Sequence, residues 1–296
     1  MCGIVGYIGK RDVAPLLLEG LQRLEYRGYD SAGIVVTSPK TAGLKMVKAK
    51  GRVRDLEAKV PARFKGTTGI AHTRWATHGA PSDVNAHPHM SADEKVAVVH
   101  NGIIDNAGDL RRKLEADGVE FLSETDTEVL THLIARSEAG TLEEKVRVAL
   151  RLVEGTYGIA VMHADFSDRI VVARNGSPVV LGIGEKEMFV ASDIAALVAH
   201  TRQIVTLDDG EMATLKADDF RTYTTEARGP PPSPPPWSGR PPPTTWAATT
   251  RTCTRRSTSR PRPWTGCCAA ASTTGSPPCT SAASTSTPAR RARCAG

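Results

Sequence analysis

Leucine, isoleucine, valine, phenylalanine, methionine and tyrosine are all missing from the last 68 residues of this 296-residue chain, Gly229 to Gly296. That stretch is written in Gly, Pro, Ser, Thr, Ala, Arg, Cys and Trp alone. Three tryptophans cannot form a core that offsets the entropy of ordering so much backbone. Residues 229–296 are therefore expected to be disordered, with 1–228 as the folded part. Cysteine is almost absent from that part. Cys253, Cys267, Cys268, Cys279 and Cys294 lie in the tail, and Cys2 alone lies before it. An internal disulfide within 1–228 is excluded, which suits a reducing cytosol and a cytoplasmic location. The chain has no apolar run of about 18 residues, so no membrane span is expected. It also lacks the basic stretch and apolar core of a secretory signal at its start. Acidic residues are missing from the tail, which holds nine arginines; without them the net charge of +6 becomes −3 over residues 1–228. The basic balance is thus no sign of nucleic-acid binding by the folded part.

What is present in 1–228 is a set of short β-rich runs around a helical middle. Cys2 to Ile8 reads as a strand at the chain terminus. Val13, Leu17, Leu21 and Leu24 share one helical face. Gly33–Thr37, Thr68–Thr77 and Val96–Ile104 read as strands. Asp105–Asp117, Asp126–Arg136 and Leu142–Val153 read as helices, with Ser123, Thr125 or Asp126 as caps for the second and Glu128 as a favourable charge near its start. Further strands are expected at Tyr157–His163, Arg169–Arg174, Val179–Ile183, Met188–Ala191, Gln203–Leu207 and Glu211–Leu215. Strands early and late around helices predict an α+β fold rather than an alternating parallel sheet. Two sheets packed between helical layers would fit.

Four segments hold the chemistry. Cys2 comes directly after Met1, and a small residue there favours removal of the methionine. Cys2 would then carry a thiol beside a free α-amine, whose ordinary pKa of roughly 8 lets it accept the thiol proton. Nucleophile and base would share one residue; an incidental cysteine is the plain alternative. Ala71 to Gly79 ends a strand in Arg74, Trp75, Thr77 and His78. Arginine there suits a carboxylate, because its guanidinium engages two oxygens at once; a polar surface strand is the alternative. His100-Asn-Gly-Ile-Ile104 ends another strand. Asn-Gly is first of all a tight-turn signal. In a site, the Asn101 amide and the Gly102 N–H would be two donors for an oxyanion. Ser123 to Glu128 opens a helix, and Asp126 facing a pocket would hold an ammonium. Arg74 and Asp126 would then grip the two ends of an amino acid. His87-Pro-His89 is weak metal spacing, and no Gly-rich phosphate loop precedes a helix. Neither a metal nor a nucleotide cofactor is expected.

Taken in order, Met1-Cys-Gly-Ile-Val-Gly-Tyr-Ile-Gly9, Leu21-Gln-Arg-Leu-Glu-Tyr-Arg-Gly-Tyr-Asp-Ser-Ala-Gly33, His72-Thr-Arg-Trp-Ala-Thr-His-Gly79, His100-Asn-Gly-Ile-Ile104 and Ser123-Glu-Thr-Asp-Thr-Glu128 resemble the glutaminase domain of the glutamine–fructose-6-phosphate aminotransferases (isomerizing), also called glucosamine-6-phosphate synthases. The resemblance spans about 2–225. It implies the four-layer αββα sandwich of N-terminal-nucleophile hydrolases and L-glutamine as substrate. It implies Cys2 as nucleophile with its own α-amine as base, and Asn101 and Gly102 as the oxyanion hole. Arg74, Thr77, His78 and Asp126 would bind glutamine. Trp75 would gate an ammonia path, and the loop Tyr26, Arg27, Gly28, Tyr29, Asp30 would cover the substrate. Asp105 stands where many relatives carry Glu.

The family's two sugar-isomerase domains, which bind fructose 6-phosphate, have no counterpart in 229–296. Reading Thr244 to Thr254 one base earlier, with a CGN codon for Arg251, allows Tyr-Asp-Met-Gly-Gly-His-Asp-Thr-Tyr-Met-His, which looks like the family's interdomain linker. A frameshift near Arg228, in the gene or its sequencing, is therefore the expected origin of the tail; a natural Pro/Thr/Arg-rich tail is the alternative. The intact protein would make glucosamine 6-phosphate, and this chain would at most hydrolyse glutamine. The competing readings are the glutaminase domain of another class II amidotransferase and a catalytically incompetent truncated product. Oligomeric state is left open.

Overall fold

The computed structural model describes residues 2–38, 41–76 and 79–226. Its strands owe their placement to one feature of the sequence. Many of them are apolar on both faces, so each face must find its own cover. In β1 (Gly3–Ile8), Val5 and Tyr7 point one way, and Ile4 and Ile8 the other. In β6 (Val96–Ile104), Val96 and Val98 oppose Ala97 and Val99.

Seven antiparallel strands form the first sheet. They run in the order β11 (Gln203–Thr206), β9 (Val180–Gly184), β10 (Glu187–Ala191), β1, β4 (Thr68–Arg74), β2 (Ser31–Ser38) and β3 (Thr41–Lys50). Six form the second: β13 (Phe220–Thr224), β12 (Glu211–Leu215), β8 (Ile170–Asn175), β7 (Gly155–His163), β6 and β5 (His89–Met90).

Three hydrophobic clusters separate four layers. One joins α1 (Val13–Leu24) and α2 (Val53–Lys59) to the outer face of the first sheet, with Leu17, Leu21 and Leu56 fully buried. A second joins α3 (Ala107–Ala116), α4 (Asp126–Arg136) and α5 (Leu142–Leu150) to the outer face of the second sheet. The third lies between the sheets and takes Ile4, Ile70, Val99, Ala160 and Val172 from both. This is an α+β fold in four layers, αββα. The expected strands and helices are present with ends shifted by a few residues. The structure adds β3, α2, β5 and β13, which the sequence pattern did not reveal. The tail 229–296 lies outside the described residues. No helix among the described residues is long and apolar enough to cross a membrane.

Candidate active site

Strand pairing delivers Cys2 to its place. Gly3 of β1 pairs with Thr73 of β4, so the residue before β1 meets the residues that end β4. The Cys2 Sγ accepts a hydrogen bond from the Trp75 N–H at 3.2 Å. On the other side of β4, Ser31 of β2 pairs with Arg74, and the Asp30 N–H donates to the Arg74 carbonyl at 3.0 Å. The loop that leads from α1 into β2 therefore lies against the segment carrying Arg74 and Trp75.

Asn101 comes from the other sheet. The Asn-Gly pair does not make a tight turn. Both residues lie inside β6, paired with Gly158 and Tyr157 of β7. The Asn101 Nδ2 donates to the Cys2 carbonyl at 3.1 Å, which joins the ends of the two sheets. Its Oδ1 lies 3.0 Å from the Nε2 of His72. Gly102 holds φ +133°, and a Cβ there would stand 2.0 Å from the Thr156 carbonyl oxygen of β7. Gly102→Ala must therefore move a neighbouring strand as well as adopt a strained backbone. It is expected to lower the unfolding free energy by at least about 3 kcal/mol in urea titration. Gly108→Ala, in α3 with nothing within 4 Å, should instead gain up to about 1 kcal/mol. Equal midpoints for Gly102→Ala and wild type would contradict this reading.

Cys2, Arg27, Arg74, Trp75, Asn101, Gly102 and Asp126 line one cavity of about 320 Å³. Asp126 opens α4, and one of its carboxylate oxygens accepts the Ile104 N–H at 2.9 Å. Thr125 occupies the N-cap position but makes no side-chain cap bond. Its hydroxyl is drawn instead to His89 Nε2 and Ser123 Oγ, each at 2.9 Å. The expected capping role thus gives way to buried partners. Glu128 stands in the first turn of α4 as expected, and it is buried. Burial would raise its carboxyl, but His132, the N–H groups of Leu122 and Ser123, and the Ser123 hydroxyl outweigh that and hold it well below the ordinary range.

Of the loop residues, Arg27 alone reaches the cavity, and its guanidinium donates to Asp193 at 2.9 Å and to the Ser192 carbonyl at 3.1 Å. Tyr26 is 68% exposed and donates its hydroxyl to Asp193. Tyr29 packs edge-on against Trp75 at 5.4 Å. Asp30 accepts the Ala76 N–H at 2.9 Å. Gly28 touches the backbone that carries the Cys2 donor; a Cβ there would lie 2.9 Å from the Trp75 nitrogen. Thr77 and His78 lie outside the described residues.

Burial pushes the Cys2 thiol pKa up, against the opposing pull of the Trp75 N–H and the Arg74 charge. Burial also lowers the pKa of the Arg74 guanidinium, while Cys2, Asp30 and Asp126 nearby favour its charged form. Its Nη2 donates to the Gly79 carbonyl at 3.1 Å.

Sequence reasoning weighed His87 and His89 only as weak metal spacing and did not see the buried histidine group beside the cavity, of which His87 and His100 line the wall. His72, His87, His89 and His100 are all closed off from solvent. The Thr127 hydroxyl meets His87 Nε2 at 2.8 Å and His100 Nδ1 at 2.9 Å. His72 and His87 stack with ring centroids 4.3 Å apart. Each of these residues falls inside or beside a recognisable sequence motif, but only the pairing of β5 with β6, and the approach of β4 and α4 to β6, bring them together. Their number among so few histidines, eight in the chain, was the available signal.

Cys2, facing an amide donor, an arginine and an aspartate at one cavity of an αββα sandwich, is similar in its setting to a class II glutamine amidotransferase domain of the N-terminal-nucleophile type. The family model described as "Glutamine amidotransferase domain" matches residues 72–199. The glutamine phosphoribosylpyrophosphate amidotransferase of B. subtilis superposes with a TM-score of 0.67 at 28% identity, over 77% of this chain and 50% of that one.

Among such domains, this one is similar to those of the glutamine–fructose-6-phosphate aminotransferases (isomerizing). The relative from Chlorobaculum tepidum is 53% identical over 234 residues, which is 76% of this chain and 38% of the relative. A relative from Thermus thermophilus is 50% identical over 77% of this chain and 37% of the relative, and that from Methanosarcina mazei is 45% identical over 77% and 38%. The chain thus spans under two-fifths of the length of the curated relatives it matches.

Proposed function

We propose that the chain hydrolyses L-glutamine to glutamate and ammonia. The supporting observation is the convergence of Cys2, Asn101, Arg74 and Asp126 on one cavity. Removal of Met1 frees the Cys2 α-amine, which takes the thiol proton. The thiolate attacks the side-chain carboxamide carbon. The oxygen of that carbonyl gains charge and is held by the Asn101 Nδ2 and the Gly102 N–H, donors of the kind that stabilise a tetrahedral intermediate. The proton held by the amine passes to the leaving nitrogen, ammonia departs, and a thioester remains on Cys2. Water then attacks the thioester, with the α-amine again as base, and glutamate leaves.

Arg74 pairs with the substrate α-carboxylate and Asp126 with its α-ammonium, with Thr77 and His78 adding contacts. The loop Tyr26 to Asp30 covers the occupied site, and Trp75, 45% exposed at the cavity's edge, stands at the exit for ammonia. Residues 1–228 form this domain, and the sequence from 229 onward is a frameshifted replacement for the C-terminal part of the relatives. In a full-length protein the ammonia converts fructose 6-phosphate to glucosamine 6-phosphate in the cytoplasm. The higher identity to the sugar aminotransferases, 45–53% against 28%, favours that acceptor over a phosphoribosyl one.

The test is an assay on the purified 296-residue polypeptide. Glutamate and ammonia should appear in equal amounts from glutamine, and adding fructose 6-phosphate should give no glucosamine 6-phosphate. Failure to release glutamate would overturn the glutaminase reading. Detection of the amino sugar would overturn the assignment of residues 229–296.

A further inference from the structure

His72 is fully buried in the middle of β4, yet its ring leaves its own sheet and touches the other. Its Nε2 lies 3.0 Å from Asn101 Oδ1 and 3.1 Å from the His100 carbonyl oxygen. Both are acceptors. Its Nδ1 is buried and has no hydrogen-bond partner among the described residues. A neutral imidazole carries one N–H, and burial holds this ring neutral by pushing its pKa down to about 3. Only a proton on Nε2 satisfies the two acceptors, so the ring donates and Asn101 Oδ1 accepts.

The rest of the cluster obeys the same proton order. His100 Nε2 faces the Thr156 carbonyl oxygen at 3.3 Å and so carries its proton there. His100 Nδ1 then accepts from the Thr127 hydroxyl, which leaves that oxygen to accept from His87 Nε2–H.

An asparagine amide has two broad orientations about its last torsion. They differ by exchange of an acceptor for two donors. At Asn101 the exchange would turn Oδ1 toward the Cys2 carbonyl and Nδ2 toward the His72 N–H, setting like against like at both ends. Resting on the glutaminase function proposed above, we propose that His72 is a positioning residue, whose Nε2–H fixes the Asn101 amide with its nitrogen toward the oxyanion. The ring touches no substrate. It acts by removing the one orientation in which Asn101 would repel the developing charge.

His72→Leu takes away the donor and leaves a buried carbonyl oxygen unsatisfied, a loss that favours reorientation of the amide. His72→Gln returns an N–H near the position of Nε2. His72→Leu is expected to lower kcat for glutamine by about 10–100-fold, with KM changed by less than about 3-fold, the pattern of a lost transition-state contact. His72→Gln should recover to within about 5-fold of wild type. Alkylation of Cys2 by iodoacetamide, which needs no oxyanion hole, should proceed at the wild-type rate in both variants. Wild-type kcat in His72→Leu, or equal losses in the Leu and Gln variants, would overturn the proposal. Nitrogen NMR of the folded wild-type protein gives an independent reading if the Leu variant does not fold. A His72 protonated on Nε2 from pH 6 to 9 supports the geometry, and a proton on Nδ1 refutes it. Wild-type protein without glutaminase activity would refute the functional reading itself, leaving the tautomer to be decided by NMR.

Discussion

Cys2→Ala is expected to abolish glutamine hydrolysis, with a loss of at least about 10⁴-fold, the scale seen when a covalent nucleophile is removed from its assembly. The fold should survive. Among the described residues Sγ hydrogen-bonds with the Trp75 backbone, and the bond from Asn101 to the Cys2 carbonyl does not depend on the cysteine side chain. Circular dichroism and urea midpoints close to wild type would show that the loss is chemical. Cys2→Ser separates nucleophile from shape. The hydroxyl fits the same space, but its proton is far too tightly held for an amine base of pKa roughly 8 to remove with comparable ease. Its activity should stay near that of the alanine variant. The same logic extends to the backbone. Protein that keeps Met1, or that is acetylated on the Cys2 nitrogen, retains the thiol and the cavity but has lost the base, and should be equally inactive. Mass spectrometry of the assayed material identifies which form is present. Turnover by Cys2→Ala, or by protein shown to retain Met1, would sink the mechanism.

How much of this could be read from residues alone differs by element. The helix Val13–Leu24 was legible to the residue, because Val13, Leu17, Leu21 and Leu24 repeat on one face and every one of them is buried. Val96–Ile104 was equally legible, as a long apolar run needs no partner information to read as a buried strand. β3 was not. Leu44 and Met46 pack toward the space between the sheets, whereas Val47 packs toward the helices. Interspersed lysines at 45, 48 and 50 hide that two-sided pattern. α2 has seven residues and only Val53 and Leu56 buried, too few to show a period.

For the site, motif wording was enough to single out Cys2, Arg74, Asn101, Gly102 and Asp126, and the structure brings those five to one cavity. Asn-Gly illustrates the limit. Alone the dipeptide is a turn signal; its place inside the run Val96–Ile104 pointed to a strand, and the pairing of Asn101 and Gly102 with β7 decides for the strand. The histidine cluster was not legible. It depends on which sheet faces which, and no local pattern in β4, β5 or β6 announces that His72, His89 and His100 point at one another's neighbours.

That cluster makes the domain acid-sensitive, and the sign is set by burial. Desolvation lowers the pKa of His72 to about 3 and those of His87, His89 and His100 below the ordinary 6.5. Charged neighbours do not reverse this. Arg74 opposes protonation of His72, His87 and His89, Lys48 opposes that of His89, and the opposing pulls of Glu128 on His89 and Asp126 on His100 are smaller than burial. Lys48 itself is pushed down to about 8 by burial. Because each folded pKa lies below the unfolded one, the unfolded chain binds more protons between the two. Stability is therefore complete above about pH 6.5 and falls as pH drops toward the folded values. Each ring contributes up to about 1.4 kcal/mol per pH unit in that window. At pH 5 His72, with its folded pKa of about 3, would cost about 2 kcal/mol, a sizeable part of an ordinary domain's stability of about 5–15 kcal/mol, and His87, His89 and His100 add to it in the same direction. Glu128 adds to the same trend only lower down, where its depressed carboxyl begins to take up protons. Urea midpoints should fall steeply from pH 7.5 to pH 5, with net proton uptake on unfolding. His89→Gln, which keeps a donor for Thr125 but does not titrate, should reduce that slope by up to about 1.4 kcal/mol per pH unit. A midpoint that stays constant between pH 7.5 and 5 would mean that these rings are not held neutral in the folded protein, and the donor assigned to His72 would lose its physical basis.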